Sequence, residues 1–196
     1  MLSWVVAAQV LLAGLLTGCG ASESNGSPDR AGARQQGTLP QPLPEWRNHQ
    51  SEEHRFSVRY PSRWQLSRER LTPTLGDPLE ILALGTYPLR PGGERCANWP
   101  VKALEDLGPA DAFVAVLERA KPYPQSGYPP RPPSFGLPID DQTGRFCVPD
   151  ARRLDTWMSF SDEGRAFYLL VAMGKSASPQ TRAELERVLN SLSFSR

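Results

Sequence analysis

From residue 46 onward, the pattern of apolar and polar positions predicts a run of short elements. In "FSVRYPSRWQL", residues 56 to 66, Phe56, Val58 and Tyr60 alternate with polar residues, the period of a strand with one buried face. Pro61 ends that run, and Trp64 and Leu66 resume an apolar face. "PLEILALGTY", residues 78 to 87, is apolar on both sides and bounded by prolines, which predicts a second strand. Val101 to Leu107 reads as a short helix terminated by Gly108-Pro109. In "DAFVAVLERA", residues 111 to 120, Phe113, Val116 and Leu117 also fit a helical face. The short run between Pro109 and Pro122 suits a buried strand better, and a strand is expected.

The clearest unit is "RRLDTWMSFSDEGRAFYLLVAMG", residues 152 to 174. Two apolar runs flank Ser161-Asp162-Glu163-Gly164, the turn chemistry of a hairpin with Gly164 free to take positive φ. Its second run carries Phe167, Leu169, Val171 and Met173 on one face and Tyr168 and Leu170 on the other, so it should be a central strand. In the following segment, 178 to 194, Ser178 is the expected helix cap and Pro179 the first helical residue. Leu185, Val188, Leu189 and Leu192 recur at helical spacing on one side, while Arg182 and Glu186 are placed to pair on the other. The expected fold is α+β: an antiparallel sheet with a packed C-terminal helix.

The N-terminus has a different texture. Residues 2 to 18 are apolar, with a core from Trp4 to Leu16 that has the length of a signal-peptide h-region rather than the roughly 20 residues of a membrane span. Leu16-Thr17-Gly18-Cys19 resembles a lipobox, the processing site of bacterial lipoproteins. The resemblance implies cleavage after residue 18 and a diacylglyceryl group on the Cys19 sulfur, which anchors the chain to the cell membrane on its extracytoplasmic face. A thiolate is a strong nucleophile suited to taking an alkyl group. The n-region departs from the pattern: it carries no Lys or Arg, and the first side chain charged at pH 7 is Glu23, so either the start codon is placed too late or the amino terminus alone supplies the positive charge. Residues 20 to 45 hold almost no large apolar side chains and read as a flexible tether, with an end-to-end distance of roughly 30 Å. The expected organisation is a signal peptide at 1 to 18, the lipidated cysteine and tether at 19 to 45, and one globular domain at 46 to 196.

Composition narrows the function. Lys and Arg number 22 against 21 Asp and Glu, without a local basic run, which argues against a nucleic-acid partner. The 20 prolines cluster at 40 to 44, 88 to 91 and 122 to 138 and mark extended connections. With Cys19 assigned to lipid and the chain to an oxidising compartment, Cys96 and Cys147 are expected to form a disulfide. The alternative is a reactive redox pair, although a Cys-x-x-Cys spacing is missing.

Phe56-x-Val58-x-Tyr60-Pro61-x-x-Trp64 and the "LNSLSF" helix exit resemble the Mog1/PsbP-like α/β/α sandwich of small secreted bacterial domains. Cys96, "YPPRPPSFGL" at 128 to 137, "FCV" around Cys147 and "GRAFYLLVAMG" resemble an uncharacterised exported actinobacterial family over roughly residues 80 to 195. That resemblance implies the Cys96 to Cys147 bridge and a strand at 111 to 120, and it implies no activity.

Catalytic and metal-site patterns are missing. The two histidines, His49 and His54, lie near the tether exit, no Cys/His cluster has metal-ligand spacing, and no Gly-x-Ser-x-Gly elbow presents a nucleophile. Gly174-Lys175-Ser176 lacks the glycine five positions upstream that a phosphate loop requires, and Asp140-Asp141 lacks the oxygen spacing of a calcium loop. No catalytic residue, metal or cofactor is expected. The candidate contact surface is the proline-rich stretch at 121 to 138, through Tyr123, Tyr128 and Arg131. The alternative there is a stiff connection lying across the sheet. The expected function is that of a membrane-anchored binding or accessory module with an envelope protein as partner. A carrier of a lipid or other apolar ligand, or an enzyme of unfamiliar type, stands as the alternative.

Overall fold

The computed structural model of the protein describes residues 44–92, 99–120, 128–137 and 153–196. These form an α+β fold: antiparallel sheet with the C-terminal helix packed on it. The larger sheet has five strands in the order β3 (Gln65–Leu66), β4 (Leu79–Gly85), β5 (Ala112–Glu118), β7 (Arg165–Gly174) and β6 (Arg153–Asp162). A second sheet of three strands runs β1 (Trp46–Ser51), β2 (Phe56–Pro61) and β8 (Ser193–Phe194). The two helices are α1 (Val101–Asp106) and α2 (Pro179–Ser191). The segment at 111 to 120 is therefore a strand, and it lies at the centre of the large sheet.

Local chemistry sets the boundaries. The β6–β7 hairpin closes at the Asp162–Arg165 pair, and both turn residues, Glu163 (φ 50°) and Gly164 (φ 75°), take the positive φ that a two-residue hairpin turn demands. At the start of α2, the Ser178 Oγ accepts the Thr181 N–H at 3.0 Å, with Pro179 in the first turn. Leu185, Val188, Leu189 and Leu192 are all buried, as their spacing predicts. Arg182 and Glu186 form no ion pair with each other; both are half-buried.

Because β5 and β7 carry apolar side chains at consecutive positions, on both faces, both faces of the large sheet are covered. One face packs Leu84, Val114, Val116, Phe167, Leu169 and Val171 against α2 and against Phe56, Val58 and Tyr60 of β2. The other packs Ala83, Phe113, Ala115, Leu170 and Ala172 with Leu71, Tyr87 and two residues of α1, Ala103 and Leu104.

Polar ties fasten these layers. The Arg165 guanidinium donates twice to the Glu118 carboxylate at 2.7 Å and also reaches the carbonyls of His54, Arg55 and Ser195. It thereby joins the large sheet to the β1–β2 turn and the C-terminus. Glu184 on α2 is buried, and its carboxylate accepts from Arg63, from Trp64 Nε1 at 3.1 Å and from Gln180 at 3.1 Å. Residues 128–137 form a strap along the outer edge of β6. The Arg131 N–H donates to the Ser161 carbonyl (2.8 Å), and the Ser161 N–H donates to the Pro129 carbonyl (2.7 Å). Farther along, Asn190 of α2 pairs with both backbone groups of Phe135, at 2.7 and 2.9 Å.

Candidate functional site

Two of the three residues expected to meet a partner turn inward. Tyr128 is buried, and its hydroxyl donates to that of Tyr168 at 2.7 Å. Burial, followed by this contact with Tyr168, pushes the Tyr128 phenol far above its usual value. Arg131 donates to Asp162 at 3.0 Å and to the Leu192 carbonyl at 2.6 Å, with its guanidinium 5.3 Å from the centre of the Phe135 ring. Leu192 follows the last turn of α2, so this cation satisfies a carbonyl at the helix end. Tyr123, Cys19, Cys96 and Cys147 lie outside the described residues.

The Gly174-Lys175-Ser176 turn has no cradle for phosphate. The Gly174 N–H donates to the Asp111 carbonyl and the Ser176 N–H to that of Pro109, each at 2.8 Å. A Cβ at Gly174 would lie 2.2 Å from the Pro109 carbonyl oxygen, so glycine is there for a close backbone approach.

Among the described residues, one concave region of 430 Å3 lies where the β1–β2 hairpin meets β8, lined in part by Glu52, Arg55 and Ser195, and two others bear on the candidate chemistry. The first is a cleft of 350 Å3 between β1 and β4, lined in part by His49, His54, Arg68, Arg70 and Glu80. Both histidines and the buried carboxyl of Glu80 line it. That carboxyl is already engaged, however: Glu80 accepts the Leu71 N–H at 2.9 Å and the Thr72 hydroxyl at 3.1 Å. Burial raises the Glu80 pKa above its ordinary value and lowers that of His49. Both groups are driven toward their neutral forms. Among the described residues, no group of three or more His, Cys, Asp or Glu could hold a metal ion.

The second is a pocket of 160 Å3 on the large sheet's other face, away from α2. Among the described residues, Leu117 of β5, Tyr168 and Leu170 of β7 and Trp157 of β6 form its floor across three adjacent strands, and Pro78 and Trp99 belong to its wall. Strand register explains the floor. Trp157 lies opposite Leu170 and diagonal to Tyr168, and Leu117 lies opposite Tyr168. The rings meet edge to face: Trp99 and Trp157 have centroids 6.3 Å apart at 70°, and Trp157 and Tyr168 5.8 Å apart at 66°. All three aromatic side chains are half-buried. Half-buried aromatic rings lining an apolar concavity are a common feature of contact sites.

Sequence reasoning separated Tyr168 and Leu170 from the helix-facing side of β7 but did not connect them with Trp157 or Trp99. The usable signal was the period-two alternation of β6, which puts Trp157 on the face opposite Met158 and Phe160. The space between the sheet and α2, where an apolar cargo would sit, is filled by side chains such as Val114, Phe167, Leu185 and Leu189 that expose no surface. No family model, curated protein or solved structure matches the chain.

Proposed function

We propose that this is a lipid-anchored extracytoplasmic protein that acts by binding, an accessory module of the cell envelope whose working surface is the aromatic-lined pocket. The observation that carries the binding reading is the convergence of Trp99, Trp157 and Tyr168, all half-buried, on one apolar concavity. The address rests on Leu16-Thr17-Gly18-Cys19 and the polar stretch after it, and membership of the Mog1/PsbP-like architecture rests on the β2 motif and the exit of α2. A pocket of 160 Å3 suits one group of a partner better than a whole lipid, because ligand sites usually span about 300 to 1,000 Å3.

The experiment is photocrosslinking in intact membranes with a benzophenone side chain at Trp157 and, as control, at the exposed Lys175, with adducts identified by mass spectrometry. One envelope protein captured at Trp157 and not at Lys175 is expected, with capture lost when Cys19→Ala releases the protein. Equal capture at both positions counts against the reading. Intact mass should show loss of residues 1 to 18 and gain of acyl chains, and thiol labelling without reductant should miss Cys96 and Cys147.

A further inference from the structure

β1 is the end strand of the three-stranded sheet, and the direction of each of its backbone groups can be worked out. In an antiparallel ladder one residue turns its N–H and C=O to the neighbouring strand and the next turns both away. The Ser62 N–H donates to the Glu45 carbonyl at 2.7 Å, so Glu45 turns toward β2. Pro61 stands opposite Trp46 and has no N–H to give it. Arg59, opposite Asn48, directs its own N–H and carbonyl away from β1, to the Ser191 hydroxyl at 2.9 and 3.0 Å. Each observation gives the same alternation. Arg47, His49 and Ser51 spend their backbone groups on β2, whereas Trp46, Asn48 and Gln50 aim theirs out of the edge of the sheet.

That edge is bare. Arg47, Asn48 and Gln50 are exposed, and among the described residues the outward groups of Asn48 and Gln50 have no hydrogen-bond partner. Edges are ordinarily guarded by prolines, bulges or lysines, or kept very short. β3 and β8 are two residues each, and β6 carries the proline strap at Ser161. β1 has six residues in unbroken register, without a proline or a lysine. The segment leading into β1 is a poor filler, because Pro40, Pro42 and Pro44 would each leave a donor out of the ladder. A second copy of β1 fits. Antiparallel pairing about a two-fold axis at Asn48 sets Trp46 opposite Gln50 of the second copy and Asn48 opposite its own counterpart, so every outward group of the strand is satisfied. Arg47 then faces His49 of the second copy, which burial drives toward its neutral form. Slipping the register two residues one way opposes the two Arg47 side chains; slipping it the other way sets Trp46 against the turn at Glu52. A single register thus pairs the edge with itself, as an isologous interface requires.

We infer that β1 is a homotypic pairing edge, through which two copies of this protein join their small sheets into one continuous antiparallel sheet. The far strand of each small sheet is β8, two residues long, so the pairing closes at two copies instead of extending into a fibre. A six-residue strand pair buries less than the about 1,200 Å2 of a standard interface, so the contact is weak between copies free in solution. Copies held on one membrane, the address proposed above, meet at a higher effective concentration. Neither that address nor the aromatic pocket enters the test, so this inference and the binding reading stand or fall separately.

Sedimentation equilibrium of the whole protein in detergent, with fewer than one copy per micelle, should show the mass rising from one chain toward two as concentration approaches about 1 mM. Over the same range, amide exchange should slow at Asn48 and Gln50, while the amides of Arg47 and His49 are slow throughout. Asn48→Pro removes an outward N–H and none from the β1–β2 ladder, so it should abolish the dimer and leave the circular dichroism spectrum unchanged. Asn48→Asp and Asn48→Lys, which keep the N–H, each oppose like charges across the axis and should each weaken pairing about fivefold; an equimolar mixture of the two should pair again. A protein that stays monomeric at about 1 mM overturns the inference. So does a dimer that survives Asn48→Pro, or one in which Asn48 and Gln50 gain no protection, because the contact then lies elsewhere. Opposite effects of the Asp and Lys variants, a mixture that fails to recover, or a mass that grows beyond two chains would each rule out a closed self-pairing at Asn48.

Discussion

The two faces of the five-stranded sheet are built from the same strands but end differently. Toward α2, Phe160, Phe167, Leu169 and Val114 expose nothing, and the 13-residue helix and the second sheet lie over them. Toward α1, the cover among the described residues is a six-residue helix with loops around Leu71 and Tyr87. Polar ties hold that cover: Glu80 fastens the backbone at Leu71 and the hydroxyl of Thr72, and the Tyr87 hydroxyl donates to the Ala103 carbonyl at 2.6 Å. Side-chain size follows the cover. Ala115 and Ala172 are fully buried, whereas the large rings of Trp157 and Tyr168 remain half-buried where the pocket opens. Aromatic residues placed only to fill a core would be expected beneath the cover, so the difference separates a face that folds the protein from one that also has surface to offer.

The sharpest way to break this contrast is to truncate one ring on each face. Phe167 is fully buried, with its centroid 4.1 Å from that of Phe194 and 5.3 Å from that of Phe160. Phe167→Ala should cost about 3 to 5 kcal/mol in urea unfolding, from lost transfer energy and the cavity left behind. Trp157→Ala should cost only about 1 kcal/mol, because its ring is half in water and no closed cavity forms. Equal losses would mean that Trp157 belongs to the core as fully as Phe167 does.

A smaller effect should distinguish the faces by pH. Glu80 belongs to the pocket face, opposite Leu117, and burial raises its pKa above the ordinary 4.5. The folded state thus holds this proton more tightly than the unfolded chain does. The stabilisation is complete below the unfolded value and is lost as pH rises through the folded one. Over the pH range that starts at 4.5 and ends where Glu80 ionises in the folded protein, the urea midpoint of Glu80→Gln should therefore gain on that of the unaltered protein, a difference that cancels the other titrating groups. A constant offset across that range would show that ionisation of Glu80 does not matter to the fold.

Much of the helix face was legible in the sequence because two independent signals agreed there. Leu185, Val188 and Leu189 repeat at helical spacing, and Ser178-Pro179 carries the cap chemistry, so periodicity and boundary point to the same element. The hairpin was legible for the same reason, with alternation on either side of a glycine that needs positive φ. β1 was not: "WRNHQS" shows no alternation, and its place comes from six residue pairs with β2. β8 is two residues long, below what any period can resolve. At the candidate surface, residue type left two readings open, a contact surface and a stiff connection lying across the sheet. A tyrosine hydroxyl and an arginine fork suit a partner, but they suit an internal strap equally well, and Tyr128 and Arg131 spend theirs on Tyr168, Asp162 and Leu192. The pocket was hidden because Trp99, Leu117 and Trp157 are far apart in sequence and meet only through strand order.

The strap along β6 has one more consequence. A sheet edge is a template, and a strand laid on it normally presents a fresh edge of its own. Here the added chain reads Pro129-Pro130-Arg131-Pro132-Pro133, and its single amide N–H is already given to Ser161. Four of the five residues have no hydrogen to donate, so a further strand would find almost nothing to pair with. The prolines act as a terminator at that end of the sheet, allowing the protein to display aromatic side chains on a face while denying neighbouring copies a backbone on which to grow.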